Sequence, residues 1–260
     1  MKDESLSRKV VIGGFWVFAL RITQRIFNLA RLIILARILS PHDFGLMGIA
    51  LLTMATLDTF SQTGFQAALI QRKGDVRRYL DTAWTFLVIR GMALFGILYL
   101  IAPYAAIFFN TPEAEPIIQV IGLSLLIQAF TNIGVIYFQK ELEFNKQFIY
   151  QFSATLTDFV VAVSAALILQ SVWALVYGML ARSLVACVVS YLIHPYRPRF
   201  DFDLAKAGEL FGFGKWIMGS SILVFLLTQG DDIFVGKLLG TTALGLYQLA
   251  YRISNMPATE

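Results

Sequence analysis

Apolar stretches of about 20 residues or more, the length needed to cross ~30 Å of hydrocarbon, recur along this chain with short polar breaks. They fall at 11–38, 45–70, 82–108, 117–137, 148–170, 172–193 and 214–239, and an eighth begins near Gly245. Pro41, Asn110, Pro112, Pro116, His194, Pro195 and Pro198 stand in the breaks, where residues that end helices belong. The pattern predicts an all-α, polytopic membrane helix bundle.

The basic residues sort these segments by side. Lys2, Arg8 and Lys9 precede the first. Arg72, Lys73, Arg77 and Arg78 follow the second, Lys140 and Lys146 follow the fourth, and Arg197, Arg199 and Lys206 follow the sixth. The loops around Pro41, 109–116 and 170–172 carry no Lys or Arg. If every segment crosses once, the basic loops share one face, and the N-terminus is expected in the cytoplasm. Lys2, Arg8 and Lys9 precede an apolar run without a small-residue cleavage site, which reads as an uncleaved first membrane helix.

Composition agrees. Of 260 residues, 57% are hydrophobic and 15% charged, against roughly 25% charged in soluble domains, and mean hydropathy is +0.68. The net charge of +4 is spread over helix ends, so it is not a nucleic-acid signature. The single cysteine, Cys187, excludes an intrachain disulfide.

A shift of 200 residues aligns Gly14 with Gly214, Trp16 with Trp216, Arg37 with Lys237, Gly45 with Gly245, Leu46 with Leu246 and Ala50 with Ala250, without a gap. Helix 7 would then restart helix 1 after six crossings, a parallel repeat. The expected organisation is a cytoplasmic N-terminus (1–10), a six-helix lobe (11–193) and a cytoplasmic connector (194–213). A second lobe would open at 214–260, with its first helix and a half, and the stop at Glu260 reads as truncation.

Charges inside apolar spans are costly, about 2.5–3.5 kcal/mol each on insertion scales, and so point to function. Arg21, Gln24, Arg25, Asn28 and Arg31 fall within an arc of about 120° on the first helix. Guanidinium pairs two phosphate oxygens at once and keeps its proton, so this face is a candidate site for phosphate or pyrophosphate in a wet cavity. Arg37 reads as an interfacial anchor. Asp58, Asp231 and Asp232 are candidate counter-ions or coupling carboxylates, whereas Arg90, Asp158 and Arg182 are expected to pair structurally. No metal site or cofactor is expected: His42 and His194 stand alone, and Asp201-Phe-Asp203 lacks a nucleotide fold around it. No Ser-His-Asp set, Walker loop or G-x-G-x-x-G is present, so an enzyme is not expected.

Ile34-Leu-Ala-Arg-Ile-Leu-Ser-Pro-His-Asp-Phe-Gly-Leu46 resembles a signature of bacterial polysaccharide and O-antigen flippases of the Wzx type. So do Thr63-Gly-Phe-Gln-Ala-Ala-Leu-Ile-Gln-Arg72, Gln139-Lys-Glu-Leu-Glu-Phe144 and Trp173-Ala-Leu175. Arg197-Pro-Arg199, Phe211-Gly-Phe-Gly-Lys215 and Leu244-Gly-Leu-Tyr-Gln-Leu-Ala-Tyr-Arg252 complete the series. In order and spacing together they resemble the polysaccharide-transport branch of the multidrug/oligosaccharidyl-lipid/polysaccharide exporter superfamily. The resemblance implies two six-helix lobes around a central cavity in the bacterial inner membrane. It also implies alternating-access transport of undecaprenyl-pyrophosphate-linked oligosaccharide for lipopolysaccharide, capsule or exopolysaccharide synthesis, coupled to protons or sodium. Cationic residues of the first helix would face the cavity, a role matched here by Arg21 and Arg25. Polysaccharide polymerase and chain-length proteins are implied partners. A drug exporter of the same superfamily, or a membrane-embedded polyprenyl glycosyltransferase or polymerase, are the rival readings. Three arginines in the first helix oppose the former, and the lack of large extramembrane loops opposes the latter.

Overall fold

The computed structural model describes residues 2–72 and 74–254, with side chains from residue 13 onward except at 213–215. Lys73 and the stop at Glu260 therefore lie outside the described residues, as do the side chains of Lys2, Arg8, Lys9 and Lys215. Ten α-helices account for most of the described chain, with no strand among the described residues. They are α1 (Lys2–Ile38), α2 (Pro41–Phe60), α3 (Phe65–Gln71), α4 (Arg77–Phe108) and α5 (Ala114–Ala129). After a 3-10 turn (Ile133–Val135) come α6 (Ile136–Lys140), α7 (Phe144–Leu169), α8 (Trp173–Ile193), α9 (Leu204–Leu239) and α10 (Thr241–Ser254). The protein is a polytopic all-α membrane bundle.

Among the described residues, α2, α4, α7 and α8 are each long and apolar enough to cross a membrane. Two bent pairs, α5 with Ile133–Lys140 and the two halves of α9, raise that number to six. The helix with the arginine face, α1, is not among them. Large apolar side chains such as Leu100, Ile168, Leu192 and Leu227 are exposed, as a bilayer allows.

Two expected single spans are broken. The stretch 45–70 divides at 61–64 into α2 and α3, and Gly64 enters α3 with φ +67°, a left-handed conformation that glycine adopts without cost. The stretch 117–137 divides at 130–132. There Asn132 Oδ1 accepts from Gly134 N at 2.9 Å and the chain turns by 72°. Polar Ser61, Gln62, Thr63, Thr131 and Asn132 are the residues that free the backbone at these breaks.

The helix start at Pro41 shows why it lies where it does. Ser40 Oγ accepts from Asp43 N (3.2 Å) while Asp43 Oδ2 accepts from Ser40 N (3.0 Å), a reciprocal cap. The other Asp43 oxygen accepts from Val172 N (2.9 Å), tying α2 to the start of α8. The last helix begins at Thr241, four residues before the expected Gly245.

One apolar core joins α1, α2, α4, α5, α7, α8, α9 and α10 around Leu35, Ile49, Leu98, Ile121 and Leu244. A second, smaller core lies at the end carrying the 71–81 loop, around Leu69, Tyr79, Leu80, Ile133 and Leu210. The expected connector 194–213 is not one piece. Residues 194–203 run without helix against α4, and from Leu204 the chain is already α9, which bends by 53° between Gly212 and Trp216, at the expected boundary of 213/214. Trp84 packs on Phe200 and Phe86 stacks on Phe202, holding the unwound part in place.

Candidate functional site

The charged side chains pair differently from the sequence expectation. Asp58, a candidate counter-ion or coupling carboxylate, is bonded by Arg90. The α2 helix ends at Phe60, where its last carbonyls lack regular helical partners and that of Asp58 accepts from Ser61 N (3.3 Å) and Oγ (3.1 Å). The Arg90 guanidinium collects them: Nη2 donates to the Asp58 carbonyl (2.7 Å) and Nε to the Ser61 carbonyl (2.8 Å), while Nη2 also reaches the Asp58 carboxylate. Arg90 is thus a clamp on the helix end, with the ion pair as part of it.

Arg31, expected in the phosphate site, pairs with Asp158 of α7: its Nε lies 3.1 Å from Oδ2, without hydrogen-bond geometry. Asp158 Oδ1 is buried with no hydrogen-bond partner among the described residues. Arg182, expected to be structural, has no carboxylate partner among the described residues. It lines both a large chamber and a smaller cavity.

The arginine face of α1 divides along its arc. Gln24 and Arg31 occupy one edge and turn into the bundle, where Gln24 Nε2 donates to Gln151 Oε1 (3.2 Å). Arg21, Arg25 and Asn28 occupy the other edge and are exposed. Arg21 borders a shallow pocket with Phe18, Leu142 and Phe144. The structure does not bring Arg21 or Arg25 into the chambers described here.

The large chamber encloses about 990 Å³ among α1 to α9, with both helix breaks in its wall. Its polar lining includes Asp58, Arg90, Arg182, Tyr150, Ser183 and seven glutamines. A second cavity of about 660 Å³ lies between α2, α9 and α10. There Asp231 accepts from the Tyr247 hydroxyl, and Asp232 Oδ2 accepts from Gln248 Nε2 (2.9 Å). Asp232 is buried and Asp231 exposed, as adjacent helical positions about 100° apart require.

Between them a cavity of about 260 Å³ gathers Arg31, Arg182 and Arg252 with one carboxylate, Asp158. The side chains come from α1, α8, α10 and α7. Arg252 and Gln248 escaped the sequence reading because α10 lies at the end of the chain, where no complete apolar span surrounds them. Three guanidiniums against one lining carboxylate leave an excess of positive charge, offset in part by Asp232 of the adjoining cavity, and an excess of this sign suits an anion. Among the described residues no group of three or more His, Cys, Asp or Glu could hold a metal ion. Asp201 and Asp203 instead serve the connector. Asp201 Oδ2 accepts from the Thr82 hydroxyl (2.7 Å), and Asp203 Oδ1 caps α9 through Ala205 N (2.9 Å).

A family model described as polysaccharide biosynthesis protein matches residues 34–260. The chain is 29% identical over 255 residues to the lipopolysaccharide biosynthesis protein WzxC of Escherichia coli K12, covering 97% of this chain and 52% of that protein. It is 28% identical over 225 residues to the succinoglycan biosynthesis transport protein ExoT of Rhizobium meliloti, covering 86% and 45%. The teichuronic acid biosynthesis protein TuaB of Bacillus subtilis is 25% identical over 258 residues, covering 98% and 53%. The chain therefore spans about half the length of the curated relatives it matches. No solved structure matches it. With the family match running from the end of α1 to the last residue, the chain belongs to the polysaccharide biosynthesis protein family.

Proposed function

We propose that the protein is a flippase of the bacterial inner membrane that moves undecaprenyl-pyrophosphate-linked oligosaccharide outward for surface polysaccharide synthesis, with its N-terminus in the cytoplasm. The observation that carries this reading is the excess of guanidinium over carboxylate around the cavity of Arg31, Arg182, Arg252 and Asp158. Relatives named for lipopolysaccharide, succinoglycan and teichuronic acid biosynthesis support the polysaccharide cargo.

In this reading the pyrophosphate docks on Arg182 and Arg252, with Arg21 and Arg25 on the exposed strip of α1 as a first landing site. Asp158 serves as the resting counter-ion, because its unbonded oxygen can take a second guanidinium when no anion is bound. The polyprenyl tail stays in lipid, so two phosphates and many hydroxyls never cross bare hydrocarbon, where each unpaired polar group would cost several kcal/mol. The lobes rock by alternating access, and Asp231 and Asp232 are the carboxylates through which a proton or sodium gradient would act.

The test is transport itself. Arg182→Ala and Arg252→Ala should each lower surface polysaccharide by about 10–100-fold, the worth of one charge-assisted hydrogen-bond set, at unchanged protein level. Wild-type polysaccharide in both variants would overturn the assignment.

A further inference from the structure

We infer that the chamber of about 990 Å³ inside the helix bundle is a docking site for an uncharged, hydroxyl-rich group, a sugar residue of the cargo, separate from the arginine cavity that would hold its phosphates. The inference rests on the transport reading above and adds where the carbohydrate goes. The volume lies at the upper end of the ~300–1,000 Å³ usual for ligand pockets.

Amides dominate its polar lining. Gln24, Gln128 and Gln151 come from α1, α5 and α7, while Gln62, Gln66 and Gln139 come from the first helix break, α3 and α6. Charge is nearly absent by comparison: Arg90 is neutralised by Asp58, leaving Arg182 as the cation without a carboxylate. A primary amide carries two N–H donors and a carbonyl acceptor, and a hydroxyl both donates and accepts, so the two match without net charge. A metal would need carboxylates or imidazoles, and a chamber for anions would need more than one free cation.

The helix breaks are a second and independent sign. Irregular backbone at membrane depth is tolerated where it is buried in protein or lines a wet cavity. The breaks at 61–64 and 130–132 both contribute residues to this one chamber: Gln62, Thr63 and Gly64 from the first and Thr131 from the second. Gln147 of α7 adds a third. The residue lines the chamber, while its Oε1 is turned into the protein with no hydrogen-bond partner among the described residues, and a turn of the amide would present it to a ligand. A buried amide oxygen left unbonded is costly and calls for a donor. Tyr150 supplies ring surface beside the amides. Arg182 opens onto both this chamber and the arginine cavity, so a diphosphate held there would carry its first sugar to the amides.

The experiment compares two probes on the purified protein in nanodiscs: undecaprenyl diphosphate, and undecaprenyl diphosphate carrying a neutral trisaccharide. Native mass spectrometry reads both affinities. The sugar-bearing lipid is expected to bind about tenfold tighter. Gln147→Leu and Gln62→Leu should bring the ratio to within about twofold without changing affinity for the bare lipid. Gln147→Leu removes an amide whose oxygen is unpaired, so its melting temperature should not fall, which keeps the comparison free of misfolding. Equal binding of the two lipids by the wild type, or an unchanged ratio in both variants, overturns the sugar site while leaving the transport reading intact. Binding of neither lipid overturns both.

Discussion

Gly45 and Gly245 each press against the backbone of the other's helix in the same way. A Cβ on Gly45 would lie 1.9 Å from the Thr241 carbonyl oxygen, and one on Gly245 would lie 1.9 Å from the Pro41 carbonyl oxygen. The positions are offset by 200 within each pair, so exchanging α2 and α10 maps the contact onto itself, as a two-fold relation requires. At this crossing only glycine fits, since no backbone oxygen can swing aside as a side-chain tip can. Gly45→Ala or Gly245→Ala should destabilise the protein by about 1–3 kcal/mol through overpacking and block transport. Gly14→Ala, with open space around its Cβ, should change neither. Melting in detergent distinguishes them, and a Gly45→Ala variant as stable as Gly14→Ala would refute the tight crossing.

The Arg31–Asp158 pair gives a second expectation. The side chains are 19% and 9% exposed, so removing one partner strands a largely buried charge. Asp158→Asn should cost about 3–5 kcal/mol, and the double variant Arg31→Gln/Asp158→Asn should recover part of it. A double-mutant cycle on unfolding measures the coupling. Strictly additive losses would mean the pair contributes nothing as a pair.

The Arg90 clamp predicts that shape matters more than charge. One guanidinium reaches the carbonyls of Asp58 and Ser61 and the Asp58 carboxylate together, and an ammonium cannot span that set. Arg90→Lys should therefore lose about 1–3 kcal/mol despite keeping its charge, and expose 61–64. A cysteine at position 62 should label faster with a thiol reagent in Arg90→Lys; an unchanged rate would count against the clamp.

The connector at 194–203 should respond to pH. His194 Nδ1 accepts from Tyr196 N (3.1 Å), and its ring stacks on Tyr137 at 5.7 Å. Burial, with Lys146 next in effect, lowers its pKa below the usual 6.5. The folded state therefore prefers the neutral ring: the contribution is present above about pH 6.5 and is lost as pH falls through the depressed folded value. Tyr196 donates to Asp81 Oδ1 at 2.7 Å, and burial followed by that bond raises its own pKa, so it stays protonated throughout. Hydrogen exchange at 194–199 should accelerate between pH 7 and pH 5 in the wild type and less in His194→Gln. Equal acceleration in both would remove His194 as the cause.

Membrane helices and their approximate bounds were readable because lipid imposes one rule on every segment, an apolar run of sufficient length with polar interruptions between. The same rule hides breaks inside a span: Ser61-Gln-Thr-Gly64 and Thr131-Asn132 are too short to lower the average hydropathy. A shift of 200 aligns Gly45 with Gly245 in the sequence, whereas their mutual contact exists only in the folded bundle. Glutamines carry no charge, and those of the chamber come from five helices and one break far apart in the chain, so only the fold shows them as a group.

By itself, the sequence determined that the chain is a bundle of apolar helices carrying arginines and aspartates at membrane depth, since solvation energy depends on each residue alone. Which carboxylate answers which arginine was decided by the tertiary structure. Arg31 met Asp158 and Arg90 met Asp58, while Arg182 and Arg252 were left facing cavities. Pairing depends on distances of a few ångströms between helices far apart in the chain, and no one-dimensional pattern records them.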